Sequence, residues 1–496
     1  MSSPAIAERT GLVRGLGILG LTATGICSML GAGINVVPFM LQRNVPGIGP
    51  WVLPAFLVAA VPALVAALAY AVLASAMPRA GGSYVHVSRG LHPLLGFLAS
   101  FSQWFGLSIA IGVVAYVTIP FLRDVVGAVG ADGLAEALDT GPVRVGLSLA
   151  FLWTFVGVNV RGIDLYERTL IPLMVVMFLL GSVVVFAGFS FDQDDYLRAL
   201  DAQGVPLPSL DPAPFRWGPF LGASVVLFAA FIGFDAIAQA GGEAKDPVRA
   251  LPIAIGLALF VVGGFYVLFT AAVYHAVPWQ YVAREAASRD VTAPGLLGVV
   301  LSPGWTVAIV GGAAIALLND IPAMLLSVSR LMFAWSEDGI FPRPLAAIHP
   351  RHHTPHRALV ASGLMASAGI LGSHFAGDFF LGVDIMVTSM LVNYGLMCLT
   401  VVALPRRNPV LARRALLFRG PLRAPLAGLG ALTLFFFLGL HLYKDLNAEV
   451  EAWYFHSTPV WLLVMTLGTL IYLRERAALS RSGVDVAARF DHLPPE

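Results

Sequence analysis

The sequence predicts an all-α integral membrane protein of about twelve transmembrane helices. Three observations predict it. Of the 496 residues, 58% are hydrophobic and only 12% charged, against about 25% charged in soluble domains, and the mean hydropathy is +0.81. Twelve apolar segments lie near the roughly 20 residues that cross a bilayer. The connections between them alternate in charge, with 22 of the 30 lysines and arginines falling on one side if the segments are threaded in order.

Taken along the chain, the expected spans are 16–41, 51–77, 93–122, 143–160, 170–189, 217–240, 250–276, 304–335, 358–375, 379–404, 425–443 and 458–473, the last being the shortest. The basic connections include Arg79 and Arg89, Arg161 and Arg168, Lys245 and Arg249, and the run of arginines at 406–423. By the positive-inside rule they place both termini in the cytoplasm, and an even number of spans agrees, since it puts the two termini on one side. The opposite loops are acidic, as in Asp192-Gln193-Asp194-Asp195. The longest of them, 190–216, shows no clear period. The first apolar segment is too long for a cleavable signal peptide and is followed by further spans. Cys27 and Cys398 both fall in apolar segments and imply no disulfide framework or metal site.

Two segments are interrupted. The first carries Thr24-Gly25-Ile26-Cys27-Ser28-Met29-Leu30-Gly31-Ala32-Gly33-Ile34-Asn35 in its middle. Glycine in a helix interior costs about 1 kcal/mol against alanine, and non-helical backbone at membrane depth persists only where it is buried in protein or lines a cavity. The sixth segment carries Phe231-Ile232-Gly233-Phe234-Asp235 at the corresponding place. Paired interruptions in corresponding positions of two halves point to a secondary transporter's binding site, with half-helix amino ends facing an anionic group and released carbonyls facing a cation. An amino acid carries both charges. The competing explanation for Gly31 and Gly33 is close helix packing at small residues; the neighbouring Thr24, Ser28 and Asn35 and the second interruption weigh against it.

Residues 24–34 on the first segment, YAVLASAMPRAGGSY at 70–84, FIGFDAIA at 231–238 followed by EAKDPVR at 243–249, and Ser329-Arg330 with EDGIFP at 337–342 resemble the amino acid–polyamine–organocation (APC) transporters. Phe231–Asp235 is closest in flavour to the branch similar to cationic amino acid transporters. The resemblance implies a leucine-transporter-type fold: a five-plus-five inverted repeat with discontinuous helices 1 and 6, at 16–190 and 217–404, plus two C-terminal helices at 425–473. The N-terminus (1–15), an extracellular loop (191–216), a cytoplasmic basic loop (405–424) and a cytoplasmic tail (474–496) complete the chain. It implies alternating access around a site between the first, third, sixth, eighth and tenth helices. Carried over by position, amides at Gly31, Ala32 and Gly33 would hold a carboxylate, carbonyls near Met29 and at Phe231 would meet an ammonium, Phe231 would lie over the solute beside Gly233, and Tyr84 and Glu243 would belong to the inner gate. Three positions depart from the family pattern: Ala32 lacks the usual hydroxyl, Asn35 replaces an aromatic, and only Glu243 remains of a frequent acidic pair. The lysine of proton-coupled members maps by count to Met177, so the lysine-based switch is absent.

Charges within apolar segments are the other candidates. Asp235, Asp320 and Asp384 cost about 3 kcal/mol or more if left at mid-membrane. Asp235 is expected either to cap the second half of the broken sixth helix or to carry a proton or meet solute. Asp320, with Asn319, is expected to satisfy groups freed by Pro322 or to carry a proton, and Asp384 to sit near an outer end. Ser327 and Ser329 are hydroxyl candidates for a sodium site. His349, His352, His353 and His356 lie beside arginines without a cysteine and read as a basic, lipid-facing loop. The expectation is a multi-pass permease of the cytoplasmic membrane that moves an amino acid or related small amine by symport or antiport. It has no cofactor beyond a coupling H+ or Na+, no metal, no nucleic-acid partner and no enzymatic constellation. Polyamine or inorganic-cation carriage, or amino acid sensing without transport, are the alternatives.

Overall fold

The computed structural model describes residues 11–31, 33–376, 380–415, 420–450 and 452–494. Ala32, one of the expected carboxylate-binding positions, lies outside the described residues. Among those residues the regular structure is helical, with twelve helical stretches long and apolar enough to cross a membrane. They are Ile18–Asn44, Gly49–Ala76, Pro93–Ala128, Gly141–Val160, Ile163–Ser190, Trp217–Gln239, Pro247–Ala276, Gly304–Glu337, His356–Phe375, Leu381–Arg407, Arg423–Leu446 and Ser457–Arg481, here called the first to twelfth spans. The twelfth is longer than its apolar run because Arg474, Glu475, Arg476, Ala477 and Ala478 are good helix formers that continue the helix past the apolar stretch.

The spans divide by burial. The first, third, sixth, eighth and tenth are more than 70% buried over their apolar windows, whereas the fourth, fifth, eleventh and twelfth are a third buried or less. The first group forms the centre. The second presents apolar side chains such as Leu179, Phe186, Leu432 and Leu463 outward, where lipid is the solvent.

Two central spans are broken. The first is helical over Ile18–Met29 and again over Gly33–Asn44. At the break the Leu30 N–H still reaches the Ile26 carbonyl at 2.7 Å, and the Gly31 N–H turns back to the Met29 carbonyl at 3.1 Å. The sixth is helical over Trp217–Phe228, tightens through Ala229–Phe231, becomes extended at Ile232 and resumes for a single turn, Ala236–Gln239. Its second half is therefore shorter than a second membrane half-helix. The breaks touch. Gly233 has φ +134°, and a Cβ placed on it would lie 2.2 Å from the Ser28 carbonyl oxygen and 2.8 Å from the Met29 nitrogen. Both the dihedral and the contact demand glycine. The eighth span passes through Pro322 without interruption.

The end of the bundle that carries both termini is closed by buried polar structure. After the second span, Gly81 at φ +72° starts a buried helix, Gly82–Gly90. Its Tyr84 donates to Asp338 Oδ2 at 2.5 Å, and Arg89 grips both oxygens of the same carboxylate at 2.6 and 2.9 Å. Arg330 of the eighth span makes a second two-pronged pair with Glu243, at 2.5 and 3.0 Å, both side chains 2% exposed or less. The Glu243 carbonyl also accepts from the Leu16 N–H at 2.9 Å, and Leu16 accepts from the Lys245 N–H at 2.8 Å, so the chain entering the first span is tied to the chain leaving the sixth. On the opposite side, the loop after the fifth span contains a helix, Gln193–Ala202, fixed by reciprocal bonds between Asp192 and Asp195. A capping box with aspartate at its third position is the signal for it.

Gly233→Ala is expected to lower the melting temperature of the purified protein sharply, while Gly256→Ala, with open space around it, leaves it unchanged or raised; equal melting of the two would contradict the break-to-break contact. Glu243→Ala and Arg330→Ala should each destabilise by about 3–5 kcal/mol, since each strands a buried charge. The double variant should lose less than the sum. Additivity to within about 0.5 kcal/mol would show that the pair does not act as a unit.

Candidate functional site

Between the two breaks lies a cavity of about 190 Å³, smaller than the roughly 300–1,000 Å³ of sites for drug-sized ligands. All five central spans line it. The first contributes Ser28, Met29, Gly31 and Gly33 at its break, and the sixth contributes Ala229, Ala230 and Ile232. The third gives Val113 and Val117, the eighth Asp320 and Met324, and the tenth Val383 and Met386. The walls are apolar, and Asp320 is the one ionisable side chain among the described lining residues. The cavity extends beside Val36 and Val37 of the second half of the first span, away from the end closed by the arginine pairs. A larger hollow of about 720 Å³ borders Pro405, Pro409 and Arg423 but contains none of the interrupted backbone.

The breaks supply polar backbone to this apolar space. Gly33 is exposed and opens the half-helix Gly33–Asn44, whose first N–H groups have no partner within the helix and carry the positive end of its dipole. The Met29 carbonyl, at the end of the preceding half, accepts from the Tyr266 hydroxyl of the seventh span at 2.5 Å. The Gly31 N–H is used internally, as described above. Asp320 packs directly on Gly31: a Cβ there would lie 2.0 Å from Asp320 Oδ2, so the eighth-span carboxylate fits only because residue 31 lacks a side chain. Asp320 Oδ1 and Ser28 Oγ are both buried without a hydrogen-bond partner.

Several expected site residues stand elsewhere. Phe231 does not line the cavity; its ring packs edge-on against Phe56 at 5.7 Å and Tyr266 at 6.2 Å, because the tight turn at Ala229–Phe231 directs its smaller neighbours inward. Gly233 serves the contact between breaks. Asp235 stands at the start of the Ala236–Gln239 turn, but its side chain makes no capping bond. Its carboxylate accepts from Gln103 Nε2 of the third span and from the Tyr394 hydroxyl of the tenth, the latter at 2.5 Å. Gln103 is held in turn by Ser83 and Asn393, at 2.6 and 2.9 Å, so Asp235 ties the sixth span to its neighbours. Nor do Asn319 and Asp320 serve Pro322. Proline frees a carbonyl, but Asp320 Oδ1 is buried without a partner and Asn319 Nδ2 points instead at Cys27 Sγ, 2.9 Å away. Tyr84 and Glu243 belong to the closed terminal end.

Met177 lines a narrow void of about 20 Å³ together with Leu30, Gly31 and Ile34, beside the first break. Of the sodium-site hydroxyls, Ser329 Oγ donates to the Leu326 carbonyl at 2.9 Å and accepts from Arg330. Ser327 Oγ is buried without a partner. No group of three or more His, Cys, Asp or Glu suited to a metal occurs among the described residues. Tyr266 and Gln103 are site-supporting residues that sequence reasoning missed. Tyr266, one of three hydroxyl-bearing residues in the apolar seventh span with Thr270 and Tyr274, and the lone amide side chain of the third span were the available signals.

Residues 16–467 match the family described as amino acid permease. Cationic amino acid transporter 4 of Homo sapiens is 29% identical over 371 residues, which cover 72% of this chain and 55% of that protein, so the chain spans little more than half of that relative. The branched-chain amino acid permease BcaP of Bacillus subtilis is 28% identical over 502 residues, covering 96% and 97% of the two chains. The methylthioribose transporter of the same organism is 25% identical over 516 residues, with the same coverage. With the match running from the start of the first span into the twelfth, the chain belongs to the amino acid permease family of the APC superfamily and is a multi-pass membrane protein.

Proposed function

We propose that the chain is a secondary transporter that carries an amino acid with an apolar side chain, or a closely related small amine, by alternating access at the central cavity. The carrying observation is that the two interrupted spans meet at one cavity whose described walls are apolar apart from the break and Asp320. The exposed amide end at Gly33 suits a solute carboxylate, and Val113, Val117, Met324 and Met386 suit a branched or linear hydrocarbon side chain. Relatives named for cationic amino acids, branched-chain amino acids and methylthioribose place varied small solutes within this family. A polyamine would ask for a second acid in the walls, where Asp320 is the one ionisable side chain among the described lining residues.

The charge distribution supports cytoplasmic termini in a cytoplasmic or plasma membrane. On that orientation the described state is shut toward the cytoplasm by the Arg89–Asp338 and Arg330–Glu243 pairs, with the cavity leading toward the outer face. Rocking of the repeats would then have to separate those pairs to release solute inward. H+ or Na+ symport and solute exchange are the coupling modes to be distinguished.

The test is counterflow of labelled leucine into proteoliposomes, with and without a pH or sodium gradient. Leucine flux is expected for the native chain. Gly33→Val is expected to reduce it by about tenfold or more with unchanged melting, because a side chain at Gly33 meets only Val37, at 3.9 Å, and would project into the open cavity. Normal flux in that variant would remove Gly33 from the solute path. Binding without flux would support a sensor, and chemical turnover an enzyme.

A further inference from the structure

We propose that residues 484–494, which follow the twelfth span, are a strap across the terminal end of the bundle that holds it shut by keeping water off the Arg89–Asp338 pair. The inference rests on the reading of this end as the shut side of an alternating-access carrier, and adds to it the element that must lift before that side can open.

Local signals turn the chain back onto the bundle. Gly483, at φ +80°, ends the twelfth span, and the Val484 N–H returns to the Leu479 carbonyl at 3.4 Å, the bond that closes a helix at a left-handed glycine. Asp485 then accepts from the Ala488 N–H at 3.1 Å and caps a last short helix, Val486–Asp491. This helix and the residues after it lie on the gate. Phe490 is 2% exposed, and its ring centre is 4.9 Å from the Arg89 guanidinium carbon, within the range of a cation–π contact. Three carbonyls of the segment are each taken by a side chain of the bundle. Asn408 Nδ2 donates to Asp491 at 3.1 Å, Arg89 Nε to His492 at 3.2 Å and Arg79 Nε to Pro494 at 3.1 Å. In the other direction, Arg489 Nη2 donates to the Glu337 carbonyl at 3.0 Å, and its Nε lies 3.8 Å from Asp338 Oδ1.

The fastening points belong to two parts of the chain. Arg79 and Arg89 lie between the second and third spans, whereas Glu337 and Asp338 lie at the end of the eighth and Asn408 just after the tenth. If the repeats rock, these parts separate, and one segment fastened to both has to release one of them. The strap also sets how strong the gate is. The Arg89 and Asp338 side chains are 0% and 3% exposed, with Phe490 over the guanidinium. A buried pair is screened little by salt and strands a charge when it parts. The same pair facing water contributes little. Lifting Phe490 therefore turns a strong gate into a weak one, and it also leaves Arg89 Nε without its carbonyl. Arg489 is 34% exposed and farther from Asp338 than Arg89 is, so its tie is the weaker of the two.

The test is amide hydrogen exchange of the full chain in lipid nanodiscs, read over Gly82–Gly90 and over 484–494; it needs no transport. In the native chain both segments are expected to be protected, and exchange in Gly82–Gly90 to change little between about 0.1 and 1 M salt. Phe490→Ala should speed exchange in Gly82–Gly90 by about tenfold or more and make it rise with salt, while Gln193–Ala202 on the opposite side is unchanged. Arg489→Ala should give a smaller rise of the same kind, and it alters a partly exposed side chain should Phe490→Ala not fold. Exchange in 484–494 of the native chain as fast as in an unstructured peptide would overturn the strap. So would a Gly82–Gly90 unmoved by either variant, a rise without salt dependence, or a rise that spreads to Gln193–Ala202. The expected pattern together with absent leucine counterflow would keep the strap and reject the transport reading. Leucine counterflow with Gly82–Gly90 unmoved would do the reverse.

Discussion

The backbone of Gly233 pressed against the carbonyl of Ser28 is the contact on which the rest of the structure depends. Opened backbone within a bilayer is tolerated only when protein or a water-filled cavity surrounds it. Here each interruption lies against the other: the sixth span has no side chain at Gly233, and the first turns away from helical geometry at Leu30. Tyr266 supplies a hydroxyl to the Met29 carbonyl, one acceptor released by the break. Once the two breaks are adjacent, the third, eighth and tenth spans close round them, and the space left over is the cavity.

The two ends of the bundle are held by different physics. At the terminal end, buried two-pronged ion pairs and backbone ties bind the loops after the second and sixth spans to the eighth. Such pairs depend on geometry: intact they satisfy each other, and separated they leave a charge in a poor solvent. At the cavity the contacts are valines, alanines and methionines, whose association in an apolar surrounding depends on close packing. An assembly with a geometry-locked end and a packed, apolar centre suits a two-state element, since a buried ion pair is either made or broken. Asp235 belongs to neither end. Its bonds to Gln103 and Tyr394 brace the sixth span beside its break and keep the Gly233 contact in register.

Much of this was legible in the chain. The spans follow from hydropathy, and both breaks follow from glycine beside small or polar residues at mid-segment. Those signals are local; the outer-loop helix Gln193–Ala202 is not among them, since residues 190–216 show no clear period. What the sequence does not carry is the partner of each buried polar group. Asp235 is at the start of a helical turn, so capping was the local expectation, but Gln103 lies 132 positions away and its reach is set by how the third span packs. Phe231 was expected over the solute because the family resemblance carries that role to its position. The tight turn at Ala229–Phe231 points it at Phe56 and Tyr266 instead, which only the three-dimensional path of the second and seventh spans reveals. Asp320 shows the same limit: Pro322 nearby proposed a local task, and the glycine at position 31, on a different span, supplies the actual neighbour.

The most direct test of the account is amide hydrogen exchange of the protein in lipid nanodiscs, read over residues 30–34 and 232–235 with and without L-leucine. The account predicts fast exchange at both breaks in the empty protein, slower exchange at both on adding leucine, and strong protection of the flanking helices Ile18–Met29 and Trp217–Phe228 throughout. Protection at the two breaks equal to that of the flanking helices, unchanged by any amino acid, would contradict it.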